Sequence, residues 1–120
     1  MVYTYRIDLA AVATITGDYM AFSYPVTVQS IRVVLNDTVA KHAANYFTLT
    51  VGDGTNTIST VNTSTGSGVA FAAGVAQSLT VDSLYSDFEA GETMKFEVAK
   101  AGGGEAFDGL LSIEVLPKRG

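Results

Sequence analysis

The side chains able to do chemistry are few and scattered. His42, within the stretch VAKHAANY at 39–46, is the one histidine of a 120-residue chain that has no cysteine. Nucleophilic catalysis needs a hydroxyl or thiol beside a base that a third group orients. No G-x-S-x-G elbow supplies the serine, and Gly66-Ser67-Gly68 reads as a flexible loop triplet. A lone histidine in such a segment reads as a surface residue. Asp87, Glu89 and Glu92, and separately Glu105 and Asp108, could form the paired carboxylates of glycoside hydrolysis. All of them sit in turn-like, glycine-flanked stretches where acids solvate a loop, and no tryptophan is present to line a sugar cleft.

Metal and phosphate chemistry fare no better. Asp53-Gly54-Thr55-Asn56 offers oxygen ligands for calcium, but the twelfth position of an EF-hand loop starting at Asp53 is Ser64 instead of glutamate. Asp-Gly is better read as a hairpin turn. Gly102-Gly103-Gly104 runs into Glu105, not into a lysine and a helix, so it cradles no phosphate. It reads as a flexible hairpin between strands at 92–99 and 107–116. Asn36-Asp37-Thr38 and Asn62-Thr63-Ser64 read as chance matches to the glycosylation sequon. No cofactor, metal or small-molecule substrate is expected, and the chain is not expected to be an enzyme.

The aromatic residues point to surfaces. The chain has six tyrosines: Tyr3, Tyr5, Tyr19, Tyr24, Tyr46 and Tyr85. Tyrosine suits interfaces because one end is apolar and the other hydrogen-bonds. Tyr3, Tyr5, Tyr46 and Tyr85 are the candidate partner contacts. The competing reading is that they cap the rim of the core.

The bulk composition narrows the partners. Seven lysines and arginines against twelve aspartates and glutamates give a net charge of -5, with no basic stripe for phosphate, so nucleic acid is not expected. No apolar run approaches the ~20 residues that a membrane helix needs, so no membrane is expected either. The start, Met1 to Arg6, lacks the charged and apolar regions of a secretory signal, and synthesis in a cytosol is expected. Only 16% of residues are charged, and much of the remaining polarity is Ser, Thr and Gly, which suits the outer faces of β-strands.

The elements that carry these residues are strands. Phe47, Leu49 and Val51 alternate with polar neighbours, as do Met94, Phe96 and Val98, and Leu111, Ile113 and Val115. The N-terminal stretch through Tyr5, Ile7 and Leu9 reads as one long strand, or two joined by a bend, ending at Gly17-Asp18. Met20, Phe22 and Tyr24 read as the next short strand, closed by Pro25. Between Val28 and Ile31 the inward parity switches from even to odd, which predicts a β-bulge at Gln29-Ser30. The segment 56–68 reads as a weak edge strand and a mobile loop. One or two helical turns could form over 39–46. A further turn over 83–90 would have Ser83 as N-cap, Leu84 and Phe88 facing inward, and Gly91 beyond its end. Turn signals at sandwich-like intervals leave about eight strands, minimal helix and one domain over 1–120.

The stretches FSYPVTVQSIRVVLND, FTLTVGDGTNTIST, SLTVD and EAGETMKFEVAKAGGGEAFDGLLSIEVL come in an order that resembles small jelly-roll capsid decoration (cement) proteins of tailed bacteriophages. Similar modules occur in phage tails and fibres. The resemblance covers most of the chain and includes no catalytic or contact motif. It implies an antiparallel β-sandwich of jelly-roll type with two four-stranded sheets. It implies a virion structural protein on the capsid exterior, made in the host cytoplasm, that binds and stabilises the assembled shell as a homotrimer. The major capsid protein would be its partner. A carbohydrate- or receptor-binding sandwich module, using Asp53, Asn56, Tyr46 and Tyr85, is the alternative.

Overall fold

The computed structural model describes residues 2–8, 14–101 and 108–118, with side chains described from Met20 onward. Nine strands occur among them: β1 (Val2–Asp8), β2 (Thr14–Ala21), β3 (Val26–Leu35), β4 (Tyr46–Gly52), β5 (Thr57–Asn62), β6 (Gln77–Leu79), β7 (Asp87–Phe88), β8 (Thr93–Ala101) and β9 (Asp108–Pro117). They form two antiparallel sheets. One has the order β1-β9-β3-β6, with β7 also on β3, and the other runs β2-β8-β4-β5. β6 and β7 lie along the same side of β3, Leu79 opposite Ile31 and Phe88 opposite Val26, so they are two halves of one interrupted strand. Taken so, the eight strands form two four-stranded sheets, and every connection but the β4–β5 hairpin crosses between them, the double Greek-key order of a jelly roll.

Alternation builds the core. Val26, Val28, Ile31, Val33 and Leu35 of β3 face Phe47, Leu49 and Val51 of β4 across the sandwich, with Met94, Phe96 and Val98 of β8 and Leu111, Ile113 and Val115 of β9 beside them, all buried. Burying side chains of this size stabilises the fold by roughly 1.5–3 kcal/mol each. Tilted aromatic pairs close the two ends. Phe22 and Phe88 stand 5.3 Å apart at one end, and Phe47 and Phe71 stand 5.7 Å apart at the other.

The bulge in β3 is present. Val28 pairs with Val115 and Ser30 with Glu114, so Gln29 is the extra residue, and it is exposed while Val28 and Ile31 are buried. β5 has a second bulge, where Ile58 and Ser59 together oppose Val51; both are buried, as two neighbours on one side of a bulge can be.

Several local expectations are corrected. Gly17-Asp18 does not end a strand; it lies inside β2, where the register with β8 shifts between Ile15 and Asp18. Met20 belongs to β2, while Phe22 lies beyond it, bonded through its N–H to the Glu92 carbonyl and through its carbonyl to the Gly91 N–H. The described residues contain no helix. Over 39–46, long-range bonds replace helical ones: Val39 exchanges both backbone bonds with Phe71, and the His42 N–H reaches the Thr63 carbonyl. Phe71 is fully buried, so its packing outweighs the weak local helical preference of the alanines. The glycine loop at 102–104 and Glu105 lie outside the described residues.

Candidate interaction surface

His42, Asp53, Asp87, Glu89 and Glu92 are each tied into the scaffold through their side chains. His42 is exposed, and its Nδ1 accepts the N–H groups of Ala44 at 3.0 Å and Asn45 at 2.8 Å. An accepting Nδ1 belongs to the neutral tautomer with its proton on Nε2. The side chain thus shapes the bend that enters β4.

Asp53 organises the β4–β5 hairpin. Its Oδ1 accepts the Asn56 N–H at 2.6 Å and the Thr55 N–H at 2.8 Å, while its own N–H donates to the Asn56 carbonyl at 3.0 Å. The Asn56 and Thr55 backbone donors hold the carboxyl below its ordinary value. Gly54 takes φ 95°, which explains the glycine. This is the hairpin turn that Asp-Gly announces.

The acids at 87–92 each have a separate task. Asp87 Oδ1 accepts the Thr27 hydroxyl at 2.7 Å. Glu92 Oε1 accepts the Glu89 N–H at 2.7 Å, closing the turn that carries Gly91 at φ 86°. Lys118 Nζ stands 2.9 Å from Glu89 Oε1 and 3.6 Å from Asp87 Oδ2. Together they fasten the end of β9 to β7. Asp108 is half-buried at the start of β9, and its carbonyl accepts the Asn36 N–H at the opposite end of the sandwich.

The four tyrosines are not brought to one place. Tyr3 lies opposite Ile113 and Tyr5 opposite Leu111 in the β1–β9 register; their side chains lie outside the described part. Tyr46 is half-buried where β4 begins, opposite Ala101. Tyr85 is exposed in the loop between β6 and β7.

That loop is the feature that sequence reasoning missed. Leu84 is not turned inward on a helix; it is 81% exposed, next to Tyr85 at 37%. The turn is nevertheless tightly held. Asp82, not Ser83, organises it: Asp82 Oδ1 accepts the Leu84 N–H at 3.0 Å, and its carbonyl accepts the Tyr85 N–H at 3.1 Å. The Asp82 N–H donates to the Ile58 carbonyl of β5, and the Ser86 carbonyl accepts the Val28 N–H of β3, so the loop spans both sheets. Val81 packs against the core beneath it. An aspartate two residues before an exposed N–H is an Asx-turn signal, and Asp82 carried it.

Two hollows accompany these elements. A pocket of about 100 Å³ lies over the outer face of the second sheet, lined by Thr50, Asn56, Lys95 and Glu97 among others. A larger one, about 300 Å³, opens between edge strands β5 and β6, where Val61, Val69 and Leu79 meet Thr60, Ser78 and Thr80. The described residues hold no group of three or more His, Cys, Asp or Glu able to share a metal ion, and no helix long and apolar enough to cross a membrane. No protein-family model matches the chain, and no curated protein matches it in sequence.

Proposed function

We propose that the protein is a virion structural module: a jelly-roll decoration protein that binds the assembled capsid of a tailed phage and stabilises it. The observation that carries this reading is the strand order, β1-β9-β3-β6 over β2-β8-β4-β5, which is the architecture that the resemblance implies. A sandwich in which His42, Asp53, Asp87, Glu89 and Glu92 serve its own turns and strand ends is suited to presenting surface. Binding only the assembled shell adds free energy to that state alone, as any selective ligand does. Repeated contacts on a symmetric shell raise a modest single-site affinity. The test is to mix the purified protein with capsids that lack it. Co-sedimentation and a higher capsid melting temperature are expected. Absence of both overturns the reading.

The 100 Å³ pocket favours a second reading, a glycan-binding module, because Asn56 lines it together with Thr50, Lys95 and Glu97. Tyr46 and Tyr85 do not line it, which leaves it without an aromatic platform for a sugar ring. Specific signals on a glycan array, with or without calcium, would reverse the order of the two readings.

A further inference from the structure

We infer that the gap between β5 and β6 takes a short, uncharged, extended segment of another protein, which pairs with the free backbone edge of β5 at Thr60. Alternation along the strand fixes which groups face that gap. The Ile58 carbonyl points away from β4 and accepts the Asp82 N–H at 2.8 Å. The Asn62 carbonyl does the same with the Val69 N–H, also at 2.8 Å. Thr60 lies midway between them with the same parity, opposite Thr50 of β4. Its N–H and its carbonyl therefore face the gap, and neither is bonded to a backbone group among the described residues. The chain covers both ends of this edge and leaves its middle open. Thr60, Val61, Val69, Ser78 and Leu79 border the hollow of about 300 Å³ that opens there.

Three observations argue for an extended peptide as the occupant. First, an N–H and a carbonyl left open on one edge residue are the groups that an added strand uses. Second, this edge lacks the charges and prolines that keep outer strands from pairing. Residues 54–81, which carry β5, β6 and the loop between them, contain no charged residue, no histidine and no proline. The other outer strands differ: β1 contains Arg6 and Asp8, and β2 contains Asp18 and a shift in register. Third, the lining suits a backbone with small side chains. Thr60, Ser78 and Thr80 bring hydroxyls, while Val61, Val69 and Leu79 give an apolar wall for every second side chain. An uncharged segment meets no like charge here and carries no charged group to be stripped of water. The Asp82 carboxylate at one end already accepts the Leu84 N–H. From Ile58 to Asn62 a strand runs about 14 Å, so the occupant is a chain end or a hairpin tip of roughly two or three residues.

This contact does not depend on the capsid reading, and its test uses no capsids. The probe is a synthetic peptide of about four alternating valine and threonine residues, capped at both ends so that it carries no charge. Hydrogen exchange followed by NMR reads each amide. In the free protein the Thr60 N–H is expected to exchange fast, and the Ser59 and Val61 N–H groups, which face β4, slowly. At a peptide concentration about ten times the dissociation constant, exchange at Thr60 is expected to slow about tenfold. The same peptide N-methylated at every residue cannot donate to the Thr60 carbonyl, and its methyl groups hold it off the edge, so Thr60 is expected to stay fast. Thr60→Pro removes the free N–H without removing a bond to β4, and calorimetry is expected to show loss of peptide binding with a cooperative melt retained. If Thr60→Pro does not fold, the N-methylated peptide decides the question. Unchanged exchange at Thr60, equal slowing by the N-methylated peptide, or protection confined to β1 or β2 would each overturn the inference. None of these results bears on capsid co-sedimentation, so the two readings fail separately.

Discussion

Lys118 and Glu89 meet at 2.9 Å, and this pair binds the end of the last strand to the turn that follows β7. The Lys118 N–H also donates to the Pro25 carbonyl, so the same residue ties β9 to the start of β3. The backbone bond does the positioning; the exposed ion pair adds little, as surface pairs do.

The pair makes a pH prediction. The hydrogen bond to Glu89 raises the Lys118 value above its ordinary 10.5. A raised lysine contributes stability that is complete below that ordinary value and is lost as pH rises through the folded one. Thermal melts of wild type and Lys118→Gln are therefore expected to differ slightly at neutral pH and to converge in strong alkali. The difference should also shrink in high salt.

Asp53 gives the opposite sign. Its carboxyl is held below its ordinary 3.8 by the Asn56 and Thr55 N–H groups. Its contribution is present above that value and is lost as pH falls through the folded one. Asp53→Ala should lower the melting temperature at neutral pH, with a cost of about 1 kcal/mol for the lost turn bonds. Acid melts should show the two proteins converging as pH falls past the ordinary carboxylate range.

Ser59 is a site where the protein can be improved. Its hydroxyl is buried in the β5 bulge with no hydrogen-bond partner among the described residues. An unsatisfied buried hydroxyl costs about 1–3 kcal/mol. Ser59→Ala removes it with almost no change in volume. A rise in melting temperature of about 4 °C is expected for ~1 kcal/mol in a domain of this size. A fall would show that the hydroxyl has a partner in solution.

Gly109 tests the packing between β9 and β3. A methyl group there would press on the Val34 carbonyl and on Leu35, both fixed in the neighbouring strand. Gly109→Ala should cost about 2–3 kcal/mol through overpacking. Gly66→Ala, where a methyl group meets nothing, is the control and should leave the melting temperature unchanged.

Strands were legible wherever a polar face alternates with a buried one, as in β4, β8 and β9, because period two follows directly from the pleat. The hairpin at Asp53 was legible because Asp-Gly has few alternative conformations. Phe71 and Leu84 were not. Phe71 lies among alanines and reaches the core through two backbone bonds to Val39, a long-range pairing that no local pattern carries. The spacing of Leu84 and Phe88 places both on one face of a helical turn over 83–90, and only Phe88 is buried. The exposure of Leu84 follows from the Asp82 turn and the split between β6 and β7, and that split is visible only once both pair with β3. The candidate acids were found by type, but their tasks depend on Lys118 and Thr27, which lie far away in sequence.

The bulge at Gln29 offers the sharpest test of how pattern dictates fold. Val26 and Val28 point inward on one side of it, and Ile31, Val33 and Leu35 on the other; Gln29 is the residue that reconciles their parity. Its side chain is exposed, so Gln29→Ala should leave stability within about 0.5 kcal/mol of wild type. Deleting Gln29 tests the same point from the other side. Without the extra residue, Val26, Val28, Ile31, Val33 and Leu35 alternate regularly, and the pairs Val28–Val115, Ser30–Glu114 and Ile31–Ile113 become consecutive, so the strand keeps its register with β9 and its apolar face on the core. What is lost is the local bend and added twist of the bulge. The deletion variant should therefore still melt cooperatively. Loss of the cooperative melt would show that the bend itself is what the elements around β3 require.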